Sequence, residues 1–313
     1  GYATTAITDD ALAFIDRQAG DDAPFYLSVH YTAPHSPWTG HPQEIVDSYD
    51  DCAFKSCPQE EMHPWAKGHP LSEGCLGNRE MLKGYFAAVT AMDHDIGRIL
   101  DKLEEQGLRE DTLVVFVSDN GISCGHHGFW GKGNGTYPPN MYENSIKVPF
   151  VISHPGRIPE NSVQQAMVSA YDFMPTLLDY LALPLPEGVD LPGQSVLPML
   201  QGENDVGRDE VVIYDEYGTT RMVRTEEWKY VHRHPDGPHE LYDLVNDPDE
   251  RENLANDPRQ TARVGELKMR LQDWFARFAV EGRDGRDFSV MGKGQLRPVG
   301  GKWEDGKQPF AQE

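Results

Sequence analysis

Residues 80–106 place Met81, Tyr85, Val89, Met92, Ile96, Ile99 and Leu103 on one stripe at helical spacing, with Gly107 placed to end the helix. An unbroken run, Thr112-Leu113-Val114-Val115-Phe116-Val117-Ser118, follows at once. A period of 3.6 giving way to continuous β-branched and aromatic residues predicts a helix packed beside a strand covered on both faces. Such a joint belongs to a layered α/β domain.

The flanking sequence extends the alternation. Thr8-Asp9-Asp10 before Ala11, Leu12, Phe14 and Ile15 predicts a capped amphipathic helix, and Pro24 to His30 a strand. Residues 37–77 turn to proline, glycine, histidine and tryptophan without period; loops this long carry function or are disordered. Val148 to Ile152 reads as another short buried strand and Tyr171 to Ala182 as an apolar helix, with a Pro/Gly-rich connection from Pro184 to Gly193. Beyond it, residues 211–214, 220–224, 228–231 and 240–242 are short strands at turn-marked spacing, an antiparallel sheet that a helix from Arg259 to Val280 would cover. The division expected is 1–200 as the α/β domain, 201–281 as a small α+β domain and 282–313 as an extended tail. No internal repeat is visible.

Charge narrows the partners. The 51 acidic against 28 basic residues give a formal charge of -23, which opposes non-specific binding to nucleic acid or anionic lipid. An acidic surface of this kind serves solubility and still leaves room for a small basic pocket that takes a compact anion. No apolar run approaches the ~20 residues of a membrane span. Four cysteines, Cys52, Cys57, Cys75 and Cys124, have neither zinc-site spacing nor the density of a disulfide scaffold. Three of them share one loop-like segment, where a single bridge stays open.

The chemistry gathers past the apolar strand, in Asp119-Asn120-Gly121 and the glycine-rich stretch that ends with Lys132. A carboxylate and a carboxamide at the carboxyl end of a buried strand suit a hard cation, and Lys132 supplies a positive charge for an anion beside it. Read alone, Asp-Asn-Gly is a turn, His126 and His127 are structural or solvent-facing, and Trp130 packs. A second polar cluster, Tyr31-Thr32-Ala33-Pro34-His35-Ser36-Pro37, ends another predicted strand. Two such strand ends can meet at one site, and the pairing points to oxyanion chemistry.

At these residues the chain resembles a family. "YLSVHYTAPHSPW", "FVSDNGISCGHHGFWGKG", "MYENSIKVPFVISHPGRIP" and "VSAYDFMPTLLDYLALP" are similar, in order and spacing, to four successive signatures of the type I sulfatases of the alkaline phosphatase superfamily. "RMVRTEEWKYV" and "ELYDLVNDPDERENLA" resemble that family's small C-terminal domain, so the likeness covers roughly residues 1–280. The resemblance implies an alkaline-phosphatase-like mixed sheet flanked by helices, followed by a small domain with a four-stranded antiparallel sheet and a helix. It implies Asp119 and Asn120 as ligands of one calcium ion, and Lys132 and His35 as the residues that contact sulfate from two sides. His35 would protonate or stabilise the leaving alkoxide, a task suited to imidazole. His127 and Trp38 are candidates for the substrate pocket, where the aromatics of residues 38–77 either stack on a sugar ring or pack the loop. A periplasmic, secreted or lysosomal-type compartment would follow from the same likeness.

The chain also departs from the family. Type I sulfatases use a formylglycine made from Cys or Ser in a C/S-x-P-S-R type motif, preceded by two acidic calcium ligands. The Cys57-Pro58-Gln59-Glu60 stretch has its proline one place early and no arginine, and Asp9-Asp10 falls at a predicted helix start, where capping explains it. The expectation is therefore the C-terminal part of a sulfatase, with an incomplete metal site, no nucleophile and no activity alone, whose full-length parent hydrolyses a sulfate ester, a sulfated carbohydrate among the candidates. A phosphatase, phosphodiesterase or phosphonate hydrolase of the same superfamily, and a catalytically dead carbohydrate-binding protein, are the alternatives.

Overall fold

The computed structural model describes residues 1–203, 207–215, 218–281, 284 and 286. The expected tail, 282–313, lies almost wholly outside the described residues.

Helix α1, Ala3–Gln18, begins a full turn before the predicted cap, with Tyr2 at its N-cap. Thr8 therefore sits inside the helix, its hydroxyl donating to the Thr4 carbonyl at 3.0 Å. Asp9 serves elsewhere, accepting from Arg98 at 2.6 Å. The capping expectation for Thr8-Asp9-Asp10 is thus corrected. The segment that follows holds the short helices α2, Gln43–Asp47, and α3, Pro70–Cys75.

Helix α4, Arg79–Glu105, matches its predicted bounds closely; Asn78 caps it by accepting from the Glu80 N–H at 3.1 Å. Its buried positions include small Gly84, Ala87, Ala88 and Ala91 as well as Leu82 and Leu103, and the chain at Trp38 lies directly on the helix at Gly84. A Cβ at Gly84 would stand 2.0 Å from the Trp38 carbonyl oxygen, so only glycine allows the approach. The larger side chains of the stripe, Val89, Ile96 and Ile99, line an open cleft instead.

Strand β1, Val114–Val117, pairs antiparallel with β4, Phe150–Ser153, with Val114 opposite Ser153 and Val117 opposite Phe150. The strand expected to be covered on both faces is not: Val117 is 51% and Val151 57% exposed. Residues 24–30 alternate between half-buried Phe25, Leu27 and Val29 and exposed Tyr26, Ser28 and His30, as a strand would, yet join no ladder among the described residues. Between β1 and β4 a small hairpin pairs β2, Ser123–Cys124, with β3, Trp130–Gly131. Helices α5, Glu143–Ile146, α6, Phe173–Tyr180, and α7, Leu197–Leu200, complete this part; a capping box of Ser169 and Asp172 starts the turn leading into α6.

The predicted four-stranded sheet forms in chain order, β5 (Glu210–Tyr214), β6 (Thr220–Thr225), β7 (Trp228–Arg233) and β8 (Glu240–Asp243), all antiparallel. Alternation along the strands makes two apolar faces. Val212, Val223, Tyr230 and Leu241 meet Leu267 and Leu271 of α8, Thr261–Phe278. Met222, Val231 and Ile213 meet Met141 on the other side. Lys229 shares that second face and carries its wholly buried ammonium to Glu143 and Glu250, 2.6 Å from each.

Candidate active site

His35, Trp38, Asp119, Asn120, His127 and Lys132 all line one cleft of about 4220 Å³. Its volume is several times the ~300–1,000 Å³ of an ordinary ligand pocket. All six lie on the lining of this wide space, which runs through much of the chain, and no hydrogen bond or ion pair joins any two of them among the described residues.

Each residue is placed by its local chain. Asp119 and Asn120 follow β1 directly, and the Asn120 carbonyl accepts from the Ser118 hydroxyl at 2.9 Å. The Asp119 side chain is exposed. His35 is exposed as well, and its Nδ1 lies 3.0 Å from the Ser36 carbonyl. Since a carbonyl only accepts, Nδ1 carries the proton and Nε2 is left to act in the cleft. Lys132 is half-buried, and no described side chain pairs with its ammonium.

His127 takes a left-handed backbone, φ 55°, and stacks on Tyr142 at 3.8 Å and 10°. Burial, aided by the Arg251 charge, lowers its pKa to about 4, so it enters the cleft as a neutral imidazole. The following Gly128 is required: a Cβ there would lie 1.7 Å from the Glu61 carbonyl oxygen, where the His63 N–H bonds the Gly128 carbonyl at 2.8 Å. Trp38 packs into the wall. It is only 5% exposed, with its indole N–H on the Pro34 carbonyl at 2.8 Å and its ring edge-on to Trp130 at 5.3 Å.

Sequence reasoning missed the supports. Asn140, 0% exposed, donates to the carbonyls of Lys132 at 3.2 Å and Gly133 at 3.1 Å and to Thr136 Oγ1 at 3.0 Å. Its signal was a lone amide between Pro139 and Met141. Arg251 grips Glu60 with two bonds, at 2.5 and 2.8 Å, fixing the wall segment to the loop after β8. Nothing in the sequence pairs residues so far apart.

A family model described as sulfatase matches residues 1–183, more than half of the 313-residue chain. The chain belongs to the sulfatase family. A second model, for the C-terminal part of N-sulphoglucosamine sulphohydrolase, matches residues 125–277. Among curated relatives, an arylsulfatase of Clostridium perfringens is 29% identical over 86% of this chain and 57% of its own length. A choline-sulfatase of Rhizobium meliloti is 31% identical over 85% and 56%. This sulfatase chain therefore spans about half the length of the curated relatives it matches. In fold it is similar to a protein solved with its substrate D-glucosamine-2-N,6-O-disulfate, with a TM-score of 0.75 and 24% identity over 91% of this chain and 71% of the other. It is also similar to the phosphonate monoester hydrolase of Agrobacterium radiobacter, with a TM-score of 0.70 and 26% identity over 88% and 62%. The alkaline-phosphatase-like architecture is thereby shown.

A sulfatase of the formylglycine type needs a modified Cys or Ser and a calcium ion. None of the four cysteines lines the cleft; Cys57, of the one Cys-Pro pair, opens on a different pocket. Asp119 and Asn120 offer the oxygen donors calcium prefers, but the ion takes roughly six to eight. Among the described residues no group of three or more His, Cys, Asp or Glu could hold a metal. These residues alone do not complete the site. No described helix is long and apolar enough to cross a membrane.

Proposed function

We propose that the whole protein is a sulfuric ester hydrolase and that its substrate is a sulfated sugar. One observation carries the reading: in a sulfatase-family chain, His35 and Lys132 reach the same cleft from distant parts of the sequence with the imidazole Nε2 and the ammonium both disengaged. The Lys132 ammonium binds a sulfate oxygen and takes up charge that grows in the transition state. His35, anchored through Nδ1, donates from Nε2 in its protonated form to the oxygen leaving the sulfur. Asp119 and Asn120 are assigned to the calcium ion, with the remaining ligands and the formylglycine contributed from outside the residues of this chain. This chain alone is accordingly inactive.

Support for the sugar comes from relatives. The N-acetylglucosamine-6-O-sulfatase of Bacteroides thetaiotaomicron is 25% identical over 95% of this chain, and the structural neighbour above was solved with a sulfated glucosamine. The likeness to a phosphonate monoester hydrolase favours a second reading, hydrolysis of a phosphonate monoester at the same cleft. The test offers the whole protein an aryl sulfate, a glucosamine 6-sulfate and a phenyl phosphonate monoester. Sulfate release from the first two at the higher kcat/KM supports the proposal. Faster phosphonate turnover selects the second reading, and sugar binding without turnover of any of the three makes the protein a binding module.

A further inference from the structure

We propose that Cys57 and Cys124 form a redox-active dithiol pair, which a small-molecule disulfide oxidant converts to a disulfide, locking the wall segment of the cleft onto the loop that carries His127 and Lys132. The proposal stands independently of the sulfatase chemistry. Read from the sequence alone, a bridge was open only among Cys52, Cys57 and Cys75; the fold points instead to a partner on the far hairpin.

All four cysteines are reduced in the structure. The Cys57 and Cys124 thiols are close enough to perturb each other's titration. The two segments are tied together beside them: the Gln59 side-chain amide donates to the Cys124 carbonyl at 2.7 Å, and the Glu60 backbone N–H donates to the Gly125 carbonyl at 3.3 Å. Cys124 belongs to an apolar cluster with Trp38, Phe54, Leu82 and Trp130, and Cys57 packs against the same cluster. A side-chain rotation within this contact is the movement a bond requires.

Access divides the roles. Cys57 is half-buried and lines a pocket of about 350 Å³ together with Lys55, Pro58 and Arg79. Cys124 is 3% exposed and lies outside that pocket. Cys57 is therefore the attacking sulfur and Cys124 the resolving one. The neighbouring Cys124 thiol lowers the Cys57 thiol to about 7, with burial opposing and Ser56 assisting, while Cys57 and burial push Cys124 up. The nearby Cys75 and Tyr85 are both raised by burial and stay neutral, so Lys55 and Arg79 are the charges that face the Cys57 thiolate across its pocket.

The exchange balances in two steps. Cys57, having given its proton to water, attacks one sulfur of the oxidant; the oxidant S–S bond breaks and its other half departs as a thiolate that takes up a proton. Cys124 then loses its proton and attacks Cys57 Sγ, expelling the second half of the oxidant, which is protonated in turn. Two protein thiols are oxidised by two electrons and one disulfide is reduced to two thiols.

The experiment treats the full chain with oxidised glutathione at pH 8 and maps its peptides with and without prior reduction. The proposal expects a cross-linked peptide pair joining Cys57 to Cys124 and a loss of two titratable thiols. Cys124→Ser should instead accumulate glutathione on Cys57, and Cys57→Ser should leave Cys124 unmodified. The rate at which iodoacetamide alkylates Cys57 in untreated protein should rise through a midpoint near 7, well below that of an ordinary thiol. Because this alkylation and the wild-type peptide map need no variant, a misfolded Cys124→Ser does not spoil the test. A stable mixed disulfide on wild-type Cys57, a bridge from Cys57 to Cys52 or Cys75, or an alkylation midpoint at the ordinary thiol value would overturn the proposal.

Discussion

The Asn140 side chain donates to the backbone carbonyl of Lys132 at 3.2 Å, so a wholly buried amide holds the chain at the residue whose ammonium enters the cleft. The same amide accepts from the Ser145 hydroxyl at 2.7 Å. Asn140→Ala takes one donor each from the Lys132 and Gly133 carbonyls and from Thr136 Oγ1, which keep their other bonds, and removes the acceptor of the Ser145 hydroxyl, so stability should fall by about 1–3 kcal/mol. Asn140→Asp keeps the shape but cannot donate, so it should lose nearly as much. Denaturant midpoints of the three proteins check this; an Asp variant as stable as wild type would show that the donated bonds carry no weight.

Lys132 and His35 can be separated by substrate. In the whole protein, Lys132→Ala should raise the barrier by roughly 2.7–4 kcal/mol on every sulfate ester, because its charge acts on the sulfate common to all of them. His35→Ala should act unequally. A nitrophenyl sulfate leaves as a stable phenolate and needs little proton donation, whereas a sugar alkoxide needs much, so the loss should grow with leaving-group pKa. Equal losses on both substrates would take His35 out of the general-acid role, and unchanged turnover in Lys132→Ala would take Lys132 out of the sulfate site.

Lys229 is the third target. Burial raises the Glu250 carboxyl despite Lys229, whereas at Glu143 the opposing pull of Lys229 and Arg224 outweighs burial and lowers it. Lys229→Met leaves two carboxylates facing each other without the cation between them, and should cost about 3–5 kcal/mol at neutral pH. With Lys229 gone, burial leaves the Glu250 carboxyl titrating higher in the folded than in the unfolded protein, while Glu143 keeps Arg224 beside it. The loss should therefore shrink as pH falls through that raised range, because the folded state then takes up protons. Thermal melts between pH 7.5 and 5 decide the matter, and a constant deficit across the range would contradict it.

How far the sequence could be read follows from the range of each interaction. The stripe of α4 and the four strands of the small sheet were legible because local periodicity reports one-sided burial, which each element meets within a few residues. Asp119, Asn120, Lys132 and His35 stand out in the sequence as polar clusters at the ends of apolar runs and as motifs, and the structure sets all four on the lining of the cleft. The start of α1 was misread because Thr8 bonds the turn before it instead of capping, and both arrangements use the same residue type. The strand at Pro24 to His30 kept its alternation but not its ladder, since pairing depends on a neighbour that no local pattern names. Trp38, Arg251 with Glu60, and Cys57 with Cys124 belong to the same class. Each depends on which distant segment arrives, and composition is silent on that.

The last prediction concerns acid. His232 stacks on His239 at 4.3 Å and meets His234 edge-on at 4.4 Å, while its Nδ1 lies 2.9 Å from the Tyr230 hydroxyl. Burial first, and then the neighbouring histidines and Arg221, lower His232 to about 3; burial and Arg221 lower His234 to about 4, with Asp284 opposing. Both fold as neutral rings, whereas in the unfolded chain they take up protons near 6.5. The unfolded state therefore binds more protons between these values, so the stability they allow is complete above about pH 6.5 and is lost as pH falls toward 4. For His232 the loss should be on the order of 2–3 kcal/mol by about pH 4.5. His232→Gln removes the proton site and keeps a partner for Tyr230, so its stability should fall less steeply over that window even if it starts lower at pH 7.5. Carboxylates contribute a common slope to both proteins, which the difference between the two curves cancels. Parallel curves from pH 7.5 to 4.5 would show that the histidine cluster takes no part in the acid sensitivity of the fold.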